Sequence, residues 1–414
     1  MADAAEAWWE ESRAWEDRMD SISKESMLLL KRMHGKDFLA GLSEPERSAK
    51  QAEAQEERLR LIQKHTQHHS EMVSAPDFSG MTESERAVAA ERLRDKEMQR
   101  ARSLRAEGRP SDAPTKLEAL ARIVDFDPKQ GGLYYPRFTF GPTTFDLDEE
   151  SPFGPMRYTD ALYESERDYH YLMCGAVNIL SVKIACSDVG FPIRVYGTVI
   201  VRDSVDERCV YNFRCSGDHC QLINSEAESL ILTGPKRGLA LLGDIYVEID
   251  LKIKDHLGQD RELSKGLLII RGLASRSLTG SVVQTRSLAT RLSTVDVTYR
   301  VVERAVEGTI AVEVLQGGFH GKITANTSSI QEIIVLYDSK EADALAVDDC
   351  GDIQLMRPVV SVDVEDTLLI DAHTSDDKSE CILFTPRVNG GDEIQINVGA
   401  TKMRVKLFWS LMNP

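Results

Sequence analysis

No stretch of this chain approaches the roughly 18 consecutive apolar residues that a membrane-spanning helix needs, so no helical span is expected. Cysteine is missing from the first 170 residues, and the seven present further on are odd in number. The first residues, "MADAAEAWWEESRAWEDRMD", are acidic and lack the basic-then-apolar layout of a secretory signal. Together these features point to reduced thiols in a cytoplasmic or nuclear protein that is not secreted, rather than to a disulfide framework. On that reading the glycosylation acceptor Asn326-Thr327-Ser328 stays idle. Positive charge is in deficit: 50 Lys and Arg stand against 67 Asp and Glu, a net −17. Nucleic acid and anionic membranes are therefore not expected partners of the whole molecule.

Several reaction signatures are also absent. There is neither a Gly-x-Ser-x-Gly elbow nor a His-Glu-x-x-His pair. The stretch Thr233–Gly238, "TGPKRG", invites comparison with a phosphate loop, but no glycine stands five residues before a Gly-Lys pair. Pro235 removes one donor N–H, and a strand pattern follows where a helix N-terminus would have to supply the rest. It reads as a strand-to-strand turn.

What is present falls into two parts. Residues 1–115 are rich in Ala, Glu, Arg, Lys and Gln and form a charged helical arm, either a coiled coil or partly disordered. Two capping boxes mark helix starts, Ser43 with Glu46 and Thr82 with Glu85, and Pro45 suits an early turn. An earlier helix, about 4–33, carries Trp8, Trp9, Trp15, Met19, Ile22 and a run of leucines. So much apolar surface either docks on the body of the same protein or enters a groove of another, with Trp8, Trp9 and Trp15 as candidate partner contacts.

Residues 116–172 are a Gly-, Pro- and aromatic-rich linker or strap, whose Tyr134, Tyr135, Phe138, Phe140 and Phe145 suggest that it lies against a surface. From 173 to 410 the period becomes two. In "DIYVEIDLKIKD", Ile245, Val247, Ile249, Leu251 and Ile253 alternate with Tyr246, Glu248, Asp250, Lys252 and Lys254, giving one buried and one wet face. Asn389–Asp392 reads as a hairpin turn, and 271–291 as a solvated connector or a local basic patch built on Arg271, Arg276, Arg286 and Arg291. The expected fold is an all-β C-terminal region, an antiparallel β-sandwich of two tandem similar units (173–270 and 292–410), behind an α-helical arm.

An internal repeat supports two units. "FPIRVYGTVIVRDSVDERCVY" and "GFHGKITANTSSIQEIIVLY" share an aromatic or His before Gly, a β-rich run and a terminal Tyr; Arg237 and Arg357 follow downstream. Duplication and chance likeness between β-rich segments both produce such a pattern. Cys209, Cys215, His219 and Cys220 cluster, but at spacings unlike a zinc knuckle, so they are weak metal candidates beside free thiols near a hairpin. Acidic loops at Asp203/Asp206, Asp255/Asp260 and 375–380 could hold calcium or be simple polar turns. Neither catalytic residues nor a cofactor is assigned.

Several long segments, "FPIRVYGTVIVRDSVD", "DHCQLI", "LTGPKRGLALLGDIYVEIDLKIKD", "LSTVDVTYRVVERAVEGTIAVEVLQGGFHGKITA" and "FTPRVNGGD", occur in an order that resembles a plant family abundant in cereals, domain of unknown function 6598. The resemblance covers about 173–410. Related domains stand beside ribosome-inactivating N-glycosidase domains, which implies a stress or defence setting, but the family has no assigned catalytic residues. Residues 1–172 are too few and too charged to supply the toxin domain. The expected function is a non-enzymatic interaction protein: a sandwich scaffold with a helical arm for protein partners. The competing expectation is an enzyme or ligand-binding domain with a site between the two units.

Overall fold

The computed structural model describes residues 2–35, 38–71, 123–139, 146–163, 173–254, 258–272, 282–341 and 352–412, with scattered helical positions between 85 and 106. Thr82, Phe140, Phe145, Asp255, Arg276 and Cys350 lie outside the described residues.

Two helices come first, α1 (Ala2–His34) and α2 (Glu44–Ser70). The capping box starts α2: Ser43 N donates to Glu46 Oε2 at 2.8 Å, satisfying an N–H that the helix cannot. The helices form an antiparallel hairpin. Trp15 Nε1 donates to His68 O at 2.8 Å, His68 Nε2 donates to Trp15 O at 2.9 Å, and the two rings stack with centroids 5.4 Å apart. Leu29, Phe38, Ala54 and Leu61 pack beneath them. Leu30 instead enters a cluster with Cys174, Ala176, Ala240, Leu242, Val302, Ala305 and Met412, which docks the hairpin on the β region. No described helix is long and apolar enough to cross a membrane.

The strap contributes β1 (Asp125–Asp127) and β2 (Gly132–Tyr134). The first sandwich follows in β3 (Cys174–Ser187), β4 (Ile193–Arg202), β5 (Val210–Cys215), β6 (Gln221–Ile223), β7 (Leu239–Leu241), β8 (Ile245–Lys254), β9 (Asp260–Ile270) and β10 (Val282–Thr290). Next comes β11 (Ser293–Gln316), 24 residues long. The second sandwich is completed by β12 (Gly321–Thr327), β13 (Ile330–Asp338), β14 (Asp352–Ile353), β15 (Val359–Asp363), β16 (Leu368–Thr374), β17 (Ser379–Phe384), β18 (Gly391–Val398) and β19 (Thr401–Leu411).

All ladders between these strands are antiparallel, and the two sandwiches share one topology. In the first, the outer sheet runs β5-β4-β8-β9, and β10, the first half of β11, β3 and β7 face it. In the second, β13-β12-β16-β17 face β18, β19, the second half of β11 and β15. Apart from β6, which pairs β4 in the first outer sheet, and β14, which pairs β11 in the inner one, each strand of one unit has its counterpart in the other, in the same chain order. Even the bulge recurs, between Val199 and Ile200 against β5 and between Ile323 and Thr324 against β13. Two cores result: Val177, Ile179, Val199, Val247, Ile249 and Tyr299 sit in one, and Val306, Ile310, Ile323, Ile370, Leu407 and Trp409 in the other.

Register corrects the detail of the repeat. Gly197 and Gly321 do correspond, but Tyr337 matches Phe213 rather than Tyr211. Arg357 lies one residue out of step with Arg237, because Leu239 opposite Val177 corresponds to Val360 opposite Gly308. The turn at Asn389–Asp392 is no hairpin: it carries the chain from β17 in one sheet to β18 in the other, and the two-residue hairpin is Gly399-Ala400 between β18 and β19. Gly390 and Gly399 both have positive φ, 79° and 61°. The second half of 271–291 is not a connector but β10, paired along β11. Arg271 and Arg291 are already matched, with Asp244 at 2.7 Å and with Glu262 at 3.0 Å.

The wet face expected of β8 is covered at its centre. Glu248 is only 4% exposed because the strap crosses it: Phe138 N donates to Glu248 Oε1 at 2.8 Å and Arg137 Nε to Oε2 at 3.1 Å.

At Gly197 and Gly321 an added Cβ would stand 2.1 and 1.9 Å from the carbonyl oxygens of Asp250 and His373 on the neighbouring strand. Replacing either by Ala should cost about 3 kcal/mol, since backbone rather than a side chain must move. Urea denaturation measures this; an unchanged midpoint in both variants would contradict the close approach.

Candidate functional site

Charged side chains concentrate where the two sandwiches meet. Thr233–Gly238 lies there, between β6 and β7, and its two charged side chains, Gly234 O and Gly238 N are engaged inside the protein. Arg237 grips Asp203 through two bonds, Nη1 to Oδ2 at 2.7 Å and Nη2 to Oδ1 at 2.9 Å, and reaches Asp206 at 3.2 Å. Burial alone would lower its pKa, but Asp203, Asp206 and Glu307 outweigh that and raise it. Gly238 N donates to Glu307 Oε2 at 2.6 Å, and Met156 N, from the strap, donates to Oε1 at 2.7 Å. Lys236 Nζ bonds Ser151 O at 2.5 Å and pairs with Glu150 at 2.9 Å, both strap residues.

The second sandwich closes the knot. Arg357 Nε donates to Gly234 O at 2.9 Å and Nη2 to Ile179 O at 2.5 Å, so a guanidinium from one unit is solvated by carbonyls of the other. Complete burial pushes its pKa down to about 10. Gly234 is required by space, since a Cβ there would meet Tyr211 O at 1.9 Å, whereas one on Gly238 would meet Met412 Sδ at 2.2 Å, the end of a side chain that can turn aside. The stretch is a tie between strap and sandwiches, and its N–H groups do not converge on an empty centre as phosphate binding requires.

Beside this knot, under the hairpin, is a cleft of about 230 Å³. Leu30 of α1, Arg58 of α2, Met173, Cys174 and Gly175, Leu241 and Leu242, and β11 residues 301–304 line it. Arg304 is matched there by Asp363 and Glu365. Arg58 differs: among the described residues its buried Nε has no hydrogen-bond partner, and burial pushes its pKa down with no carboxylate among them to compensate. Nothing in the sequence around Arg58 separates it from the other arginines of a charged helix; its setting arises only when α2 folds onto β11.

The residues singled out from the sequence are dispersed. Trp15 is buried inside the hairpin, Trp8 is half-buried, and the Trp9 side chain lies outside the described residues. Cys215, His219 and Cys220 surround one short turn. Cys215 Sγ donates to His219 O at 2.7 Å, Cys220 Sγ to Gly217 O at 2.9 Å, and His219 Nδ1 lies 3.1 Å from Ser216 Oγ. Cys209 stands apart at the other end of β5, its Sγ donating to Leu147 O at 3.1 Å. Among the described residues no group of three or more His, Cys, Asp or Glu side chains could hold a metal ion. Asp203, read as part of a possible calcium loop, spends both oxygens on Arg237.

Comparison with known proteins places the β region. Residues 176–407 match the family model described as "Domain of unknown function (DUF6598)". The chain belongs to the DUF6598 family. No curated protein matches. Among solved structures, human GIVD cytosolic phospholipase A2 aligns at 13% identity and a TM-score of 0.18, over 58% of this chain and 33% of that one. Its complex with methyl gamma-linolenyl fluorophosphonate and terbium chloride aligns at 11% identity and a TM-score of 0.21, over 58% and 32%. This DUF6598 chain thus spans about a third of the length of those structures. Scores this low assign it neither fold nor activity.

Two outcomes follow for the DUF6598 region. Arg237→Met strands Asp203 and Asp206 in the interior and should cost about 3–5 kcal/mol, whereas Lys236→Ala, at a half-exposed pair, should cost under about 1 kcal/mol. Equal losses in urea denaturation would contradict the assignment. Burial pushes the Cys209 thiol up to about 11, so in native protein at neutral pH it should resist alkylation and react once urea unfolds the chain. Prompt labelling of native Cys209, located by peptide mass spectrometry, would contradict its burial.

Proposed function

We propose that this protein is a non-enzymatic binding protein of a reducing compartment, cytoplasm or nucleus, in which a fused double sandwich is the scaffold and the helical hairpin docks a protein partner. One observation carries the reading: each helix of the hairpin presents a bare leucine, Leu28 at 64% and Leu59 at 53% exposure, although Leu29, Leu30 and Leu61 beside them are buried. Exposed apolar side chains on charged helices are what a partner's groove takes up. The fate of the junction's charges supports the non-enzymatic part. Asp203 is spent on Arg237, and Glu307, whose pKa burial raises, is closed in by Gly238 and Met156, so neither carboxylate faces a substrate. The six described cysteines are free thiols, in keeping with a reducing compartment.

A second reading rests on Arg58, whose uncompensated guanidinium suits a small carboxylate or phosphate bound in the cleft beneath the hairpin.

Cross-linking pull-downs with native protein and with a Leu28→Glu, Leu59→Glu variant separate the two. The variant should fold with stability within about 0.5 kcal/mol per substitution and lose the partner; retention of the same partners would sink the docking role. A carboxylate and phosphate panel in thermal melts tests the second reading. Ligand at about 100 Kd adds about 2.7 kcal/mol, and a gain that Arg58→Leu abolishes would favour the cleft over the hairpin.

A further inference from the structure

The two sandwiches have equivalent outer faces, but the strap lies on the first. There, Arg137 and Phe138 sit side by side over β8. Phe138 packs on Tyr246 with ring centroids 4.7 Å apart, and Arg137 pairs with Glu248 at 3.1 Å. Arg202 donates to Leu147 O. The strap then runs along the edge of β5 like a short parallel strand: Cys209 N donates to Glu149 O at 3.0 Å and Ser151 N to Cys209 O at 2.9 Å.

The shared register gives the counterpart of each of these positions. Tyr246 corresponds to Leu369, Glu248 to Asp371 and Arg202 to Asn326. Ile269 corresponds to Leu383, and Cys209 at the sheet edge to Ile333. On the second face, Leu383 is 60% and Ile333 59% exposed, at opposite edges of one sheet. Among the described residues, a carboxylate, an apolar seat and an open stretch of sheet edge at Ile333 thus recur where the strap's counterpart would lie.

We propose that this face of the second sandwich binds an extended segment of a partner protein that presents a cationic side chain beside an aromatic one, as Arg137 and Phe138 do on the first. Asp371 takes the cation, Leu369 and Leu383 seat the ring, and the backbone runs along β13 at Ile333. Edge addition of this kind takes its affinity from main-chain hydrogen bonds and its specificity from the side chains that face the sheet. The surface is separate from the hairpin and stands without it.

A fluorescein-labelled peptide with the strap's own sequence, residues 134–151, tests this by anisotropy against the full chain, whose first face its own strap already fills. Saturable binding is expected, weakened about tenfold or more by Leu383→Asp, as for loss of a central apolar anchor. Asp371→Arg should reject the peptide and accept one carrying Arg137→Glu. If Asp371→Arg fails to fold, as shown by its melt, Leu383→Asp and Ile333→Asp, both at exposed positions, decide the matter. No saturable binding to the native chain, or binding unaffected by Leu383→Asp, would overturn the proposal. So would a dimer of the native chain in sedimentation that Leu383→Asp dissolves, since the face would then belong to a second copy.

Discussion

Strand β11 is held by two cores at once. Its first half gives Val295, Val297, Tyr299 and Val301 to one, and its second half gives Val306, Ile310 and Val312 to the other. A strand buried on both sides of a junction cannot shift register without turning side chains outward in both sandwiches, because the side-chain period is two. Ala305 pairs with Cys174 of the first unit and with Asp363 of the second. What lies at the crossing is therefore held still: the strap, the Thr233–Gly238 tie and the docked hairpin. Even Gly308 fits this setting, since a Cβ there would meet Trp409 at 3.1 Å.

The buried ions at the crossing fit that role. Replacing a buried ion pair by apolar groups is often neutral for stability, while breaking one is costly. Such pairs therefore exclude wrong arrangements more than they add net stability. Arg357 is placed to do this between the sandwiches, since its carbonyl acceptors, Gly234 and Ile179, belong to the other unit. Arg237 does it within the first unit, linking the tie to the loop after β4.

Much of this architecture is legible in the residues. The alternation through Ile245–Ile253 gives β8, Ser43 with Glu46 gives the start of α2, and the Gly197 and Gly321 match gives the duplication. The failures share one physical cause: contacts between residues distant in sequence. Alternation marks Glu248 as solvated, and only the strap, more than a hundred residues earlier, buries it. Asn389–Asp392 has hairpin chemistry, but whether a turn pairs its strands or moves the chain between sheets depends on where the partner strands lie. Trp15 carries the surface of a partner contact, and His68, brought back by α2, takes it up inside the chain. Of the candidate surfaces, the cleft around Arg58 and the bare face at Leu383 have no local signature, because each exists only by comparison of elements far apart in the chain.

The central claim is that the two sandwiches are one cooperative body because they share β11. Native-state hydrogen exchange tests it most directly, since strands that open only by global unfolding exchange with one common free energy. The account predicts that the slowest amides of β4 and β8 and those of β12 and β16 exchange with the same free energy, equal to that of the amides on either side of Ala305 in β11. Slow exchange in one sandwich while the other opens separately, with the β11 amides splitting between the two values, would contradict it.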